Sequence, residues 1–228
     1  MPRGATVVIT VALTAAATAG CGSGGHDATP GPADTGDTSD TSYDITRIGT
    51  VADAFPPGFA VTEIPLTTLT EEQAAGLGGI SDTLSSLTFD PPECNGMLKS
   101  PHVVAGGRTQ GVLAEGPQEI TVMAAESADA GADAALRTGC DHVTIRSPGL
   151  AEGTIDRIPS PDIDGVTTAG LRSHLDVTLG EHTQTLDRIA FLAPLDERTA
   201  VMVLGAADPA LLSDLLVQGV AAVRGATP

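Results

Sequence analysis

The sequence predicts an α+β domain: a single, largely antiparallel sheet with helices packed on its face. Three observations carry that prediction. Leu171, Ser173, Leu175, Val177 and Leu179 alternate with Arg172, His174, Asp176 and Thr178, the period of two expected of a half-buried strand. After Asp208-Pro209, the residues Leu212, Leu215, Leu216, Gly219, Val220 and Val223 share one face of a 3.6-residue period, which marks a C-terminal helix. Strand candidates between Thr109 and Leu204 are joined mainly by short turns, so hairpins rather than long crossovers connect them.

Element by element, ordered structure is expected from Ile45. Ile45 to Val51 leads into Phe55-Pro56-Pro57-Gly58-Phe59, whose proline pair must be extended or turned. Thr70-Glu71-Glu72-Gln73 is a capping box that opens a short helix, stopping near Gly76 to Gly78. Ile80, Leu84 and Leu87 then fall on one helical face. In Asp90-Pro91-Pro92-Glu93 the pattern predicts a further helix, with Asp90 as cap and Cys94 in the first turn.

Strands follow at Thr109 to Glu115 and around Ile120, Val122 and Ala124, separated by Gly116-Pro117. Ala128 to Thr138 reads as a helix that stops at Gly139. Val143 to Arg146 and Thr154 to Ile158 are short strands, and Gly180-Glu181-His182 turns the long strand back into Gln184 to Ala193. Val201-Met202-Val203-Leu204 is apolar on both faces, so it belongs in the middle of the sheet. Pro209 suits the first turn of the last helix and Gly225 its end.

The first forty-four residues have a different character. Arg3 precedes an apolar run from Val7 to Ala17, and small residues follow, the layout of a secretory signal peptide over residues 1–20. A membrane-spanning helix needs roughly 20 apolar residues, and this run is shorter. Thr18-Ala19-Gly20-Cys21 resembles a bacterial lipobox, although Thr18 stands where Leu is preferred. That resemblance implies that Cys21 receives a diacylglycerol and becomes the N-terminus, anchored by acyl chains such as palmitate. Residues 22–44 are rich in Gly, Thr, Pro and Asp and nearly devoid of apolar side chains, so they read as an acidic tether, roughly 25–30 Å in root-mean-square span. The predicted organisation is therefore a leader at 1–20, a lipidated Cys21 with tether at 21–44, and a binding domain at 45–226.

With Cys21 consumed by lipid, two cysteines remain. In an exported protein Cys94 and Cys140 should pair, as a structural staple rather than a redox centre, since no Cys-x-x-Cys occurs. The lipobox, Phe55-Pro56-Pro57-Gly58-Phe59, Pro91-Pro92-Glu93-Cys94 and Cys140 together resemble a family of uncharacterised actinobacterial envelope lipoproteins. That family is similar to the extracellular sensor module of PknH-type serine/threonine kinases. The resemblance spans roughly residues 45–224 and implies an α+β ligand-binding domain with a cleft and no known catalysis. Only Cys94 and Cys140 carry over as matched positions.

Composition narrows the function further. The formal net charge is −18, with ten arginines and a single lysine, Lys99. Such a surface repels phosphate backbones, and with no Trp, one Tyr and four Phe it offers few stacking platforms, so nucleic-acid binding is excluded. The five histidines form no HExxH, and neither a Gly-x-Ser-x-Gly elbow nor a P-loop is present. Gly76-Leu77-Gly78-Gly79 lacks the third glycine of a dinucleotide loop, and Asp162-Ile163-Asp164-Gly165 reads as a turn. No cofactor or metal is expected.

Arg172, His174 and Asp176 share one strand face and are the candidate polar wall of a binding groove, with His174 between a cation and a carboxylate. The expected function is a non-enzymatic binding module, lipid-anchored at Cys21 on the extracytoplasmic face of the cell membrane. It would hold a small envelope molecule or a partner protein. A structural lipoprotein that recruits a cationic partner through its acidic surface is the alternative, and a hydrolase assembled only in three dimensions ranks third.

Overall fold

The computed structural model describes residues 43–73, 87–95, 97, 104–127, 136–179 and 182–225. Among the described residues nine strands build one antiparallel sheet: β1 Ala60–Thr68, β2 Thr88–Asp90, β3 Arg108–Glu115, β4 Ile120–Glu126, β5 His142–Ser147, β6 Ala151–Ile158, β7 Ala169–Leu179, β8 His182–Pro194 and β9 Thr199–Gly205. Their spatial order is β1-β3-β4-β9-β8-β7-β6-β5-β2. The predicted α+β class is the class observed.

One face of the sheet carries the helices. The C-terminal helix Pro209–Arg224 is capped by Asp208, whose Oδ1 accepts from Ala210 N at 2.8 Å, and it ends on Gly225 at φ 72°, a left-handed conformation that glycine adopts without steric cost. It packs against β4, β8 and β9 through Leu212, Leu215, Leu216, Val220 and Val223. Gly219 lets it ride close to the sheet: a Cβ there would stand 2.9 Å from Val201 Cγ1 and 3.2 Å from Ile48 Cδ1. Beside it lies a ten-residue 3-10 helix, Ile45–Ala54, over β1, β3 and β4. Its buried residues Ile45, Ile48 and Val51 recur every third position, which is the 3-10 repeat and not the α one.

The opposite face is covered at the other end of the sheet. Cys94 and Cys140 form the predicted disulfide, and both are fully buried. With Met97 they cover Val143 and Ile145 of β5, Ile155 of β6 and Leu171 of β7. Two cores thus sit on opposite faces and at opposite ends of one sheet.

Several expectations need correction. Asp90 does not cap a helix: it ends β2, which pairs with β5 through Thr88↔Arg146 and Asp90↔Thr144, and only a 3-10 turn, Pro92–Cys94, follows. Strand pairing, with Phe89 packed on the disulfide core, outweighs the local capping pattern. β1, which lies between the Phe55–Phe59 segment and the capping box, is a strand where none is expected. Pro65 interrupts its pattern, and the register shifts between Ile64 and Thr67. The Thr70–Gln73 box itself forms reciprocally, Gln73 N donating to Thr70 Oγ1 at 3.1 Å and Thr70 N to Gln73 Oε1 at 2.9 Å. The helix stop at Gly76–Gly78, Ile80, Leu84, most of the predicted helix at 128–138 and the turn residues Gly180 and Glu181 lie outside the described residues, as do the expected leader, Cys21 and the expected tether up to residue 42.

Candidate functional site

Antiparallel register sorts β7 into two chemically opposite faces. Leu171, Ser173 and Leu175 point to the disulfide face, and Arg172, His174 and Asp176 to the helix face. Neighbouring strands repeat the split. On the disulfide face, Ile155 of β6, Leu186 and Ala190 of β8, and Met202 and Leu204 of β9 stand beside the β7 leucines.

These side chains line a pocket of about 320 Å³ on that face, next to the disulfide core. Met97, three residues after Cys94, adds a wall held by its N–H to the Cys94 carbonyl at 3.1 Å. Two polar residues join the lining, and they are register partners: Ser173 on β7 and Arg188 on β8. The Arg188 guanidinium is exposed, and its Nη1 donates to the Asp187 carbonyl at 3.1 Å. No carboxylate among the described residues pairs with it. An apolar concavity with one cation and one hydroxyl at neighbouring positions is the composition of a small-molecule site.

On the other face, Arg172, His174 and Asp176 stand side by side along β7. His174, however, does not bridge its two strand neighbours. Its Nδ1 lies 2.7 Å from Asp187 Oδ1, directly across on β8, and Asp176 accepts from Thr185 Oγ1 at 2.5 Å. Directly opposed residues stand closer than residues two apart on one strand, so cross-strand pairing wins. The hydrogen bond to Asp187 is the largest cause of a His174 pKa raised above its ordinary value of 6.5, followed by the charges of Asp187 and Asp176. A second pair of the same kind, His142 Nδ1 with Asp156 Oδ1 at 2.5 Å, sits on the same face across β5 and β6.

Among the described residues, no three His, Cys, Asp or Glu side chains stand close enough to hold a metal ion, and no helix is long and apolar enough to cross a membrane. Asp162 to Gly165 forms a turn closed by Val166 N donating to the Ile163 carbonyl at 2.9 Å, with Gly165 at φ 70°. A wider groove of about 740 Å³ runs between the 3-10 helix and the C-terminal helix, lined by Arg47, Asp53, Leu211, Asp214 and Val217 among others.

A family model described as a domain of unknown function, DUF5642, matches residues 44–224. The chain belongs to that family. The solved structure of an uncharacterised protein from Mycobacterium smegmatis, an ortholog of Rv0999, is similar, with 22% identity over 80% of this chain and 98% of that one and a TM-score of 0.60. The extracellular domain of PknH from Mycobacterium tuberculosis also matches, at 11% identity over 82% of this chain and 94% of that one, with a TM-score of 0.42. No curated protein matches. The family so identified has no assigned function, in keeping with the uncharacterised family that the cysteine and proline motifs resemble.

Sequence reasoning placed the candidate wall on the polar side of β7 and missed the pocket on its reverse. The available signal was Ser173 and Arg188, each a polar residue at an apolar-parity position beside leucines. Only the β7–β8 register makes them neighbours.

Proposed function

We propose that this DUF5642 protein is a non-enzymatic, extracytoplasmic binding module, lipid-anchored to the cell membrane through Cys21, that holds a small apolar molecule of the envelope. The pocket of about 320 Å³ on the disulfide face carries the reading. It falls at the lower end of the size range of small-molecule sites and is lined mostly by leucine, isoleucine and methionine. Among the described residues of the lining Ser173 is the one hydroxyl and neither histidine nor carboxylate joins it, which supports a surface for binding over a nucleophile–base pair. Export is supported by the leader pattern and by a buried disulfide, a bond that persists in oxidising compartments. Anchoring is supported by the placement of Cys21 at the end of the leader.

Native mass spectrometry of the protein purified from its own host tests both parts. A mature N-terminal Cys21 carrying diacylglycerol mass is expected, with a co-purifying species of a few hundred daltons that Leu175→Gln releases. A bare thiol at Cys21 overturns the anchor. A protein that is empty, or accompanied only by a basic polypeptide, overturns the small-molecule reading, the latter in favour of an assembly role for the acidic surface.

A further inference from the structure

Which molecule the pocket takes can be argued one step further, on the reading that it is a binding site. We infer that its ligand is a single-chain amphiphile with an anionic head, a long-chain fatty acid, its hydrocarbon on the leucine floor and its carboxylate on Arg188. The floor crosses four neighbouring strands, β6 to β9, and three inter-strand spacings give about 14 Å, an extent that suits a chain better than a compact ring. Met97 and Met202 at its margins are unbranched and adapt to a flexible alkyl contour.

Charge fixes the head. At a formal −18 the molecule as a whole repels anions, so an anion is held only where a cation is left to receive it. Arg188 is the one basic residue of the lining and has no carboxylate partner among the described residues. Ser173, its register partner, adds a hydroxyl donor beside it. A guanidinium fork and a hydroxyl at the open side of an apolar floor match a carboxylate that stays in contact with water while its chain is buried.

The test uses the full chain carrying Cys21→Ser, which removes the acylated residue and the need for detergent. Dodecanoate and dodecyltrimethylammonium, below their micellar concentrations, and dodecanol, below its solubility limit, are titrated by calorimetry. Dodecanoate is expected to bind at least tenfold more tightly than dodecanol, and the cation more weakly than either. Lengthening the acid should tighten binding about fourfold per methylene, the equivalent of about 0.8 kcal/mol, until the floor is full. Arg188→Gln should shrink the preference for acid over alcohol to within twofold, and raising salt should weaken the acid alone in the unaltered protein. If acid and alcohol bind equally and salt has no effect, the head-group assignment falls and the apolar site stands. Should none of the three bind, the site itself is overturned.

Discussion

Removing the disulfide is the sharpest test of how the two halves of this molecule depend on each other. Cys94 and Cys140 are 46 residues apart in sequence. The chain-entropy relation for a loop of that length gives about 4 kcal/mol of stabilisation, exerted on the unfolded chain. For a domain of 150–250 residues each kcal/mol moves Tm by roughly 2–4 °C, so reduction, or Cys94→Ala with Cys140→Ala, should lower Tm by about 8–16 °C. Because the effect acts on the unfolded state, the slope of the urea transition should also steepen, as an uncrosslinked chain exposes more surface.

A functional consequence follows from Met97, which continues the turn that holds Cys94 and forms a wall of the pocket. Loss of the bond should weaken amphiphile binding even at temperatures where the sheet is still folded. Circular dichroism melts with and without reductant, paired with calorimetric titration, measure both. A reduced protein melting within about 3 °C of the oxidised one, with an unchanged urea slope, would refute the reasoning, since the same loop closure must appear in both quantities.

Two further outcomes are expected. His174, followed by NMR, should titrate above the ordinary 6.5, and Asp187→Asn should bring it down; because its folded pKa is raised, the stabilisation from this pair is present below the unfolded value and fades as pH rises through the folded one, and on so exposed a pair it is small. Gly219→Leu should destabilise the protein by about 1–3 kcal/mol or more in urea, because Val201 and Ile48 occupy the space its side chain would need.

How much of this was legible in the sequence depends on how local each signal is. β7 and the C-terminal helix were readable, since each repeats its own period over seven residues or more, and β9 was readable as an unbroken apolar run from Val201 to Leu204. The disulfide was readable by elimination among three cysteines, without any geometry. β2 was not: three residues carry no period, and Phe89 is placed by its partners on β5 rather than by its neighbours in sequence. β1 was hidden by Pro65 at an edge, where burial is slight on both faces and alternation has little to enforce it. The 3-10 helix kept its signature in Ile45, Ile48 and Val51, a period of three that α and β templates both pass over. The pocket needs the register of four strands, which no single segment encodes.

The distribution of cover over the sheet is what makes the pocket the stronger of the two open regions. Each face has one end closed, by the helices over β4, β8 and β9 and by the disulfide layer over β5, β6 and β7. On the helix face the end beyond the helices presents the His174–Asp187 and His142–Asp156 pairs and Asp176 bonded to Thr185, groups that water and each other satisfy without a ligand. A wet, self-paired surface has little to gain from being covered. On the disulfide face the region that no described element covers presents the half-buried Leu175, Leu186, Met202 and Leu204, and there each Å² removed from water returns about 25 cal/mol. Binding free energy is therefore available on the reverse of the polar face of β7, and a ligand that exploits it must be apolar over most of its length.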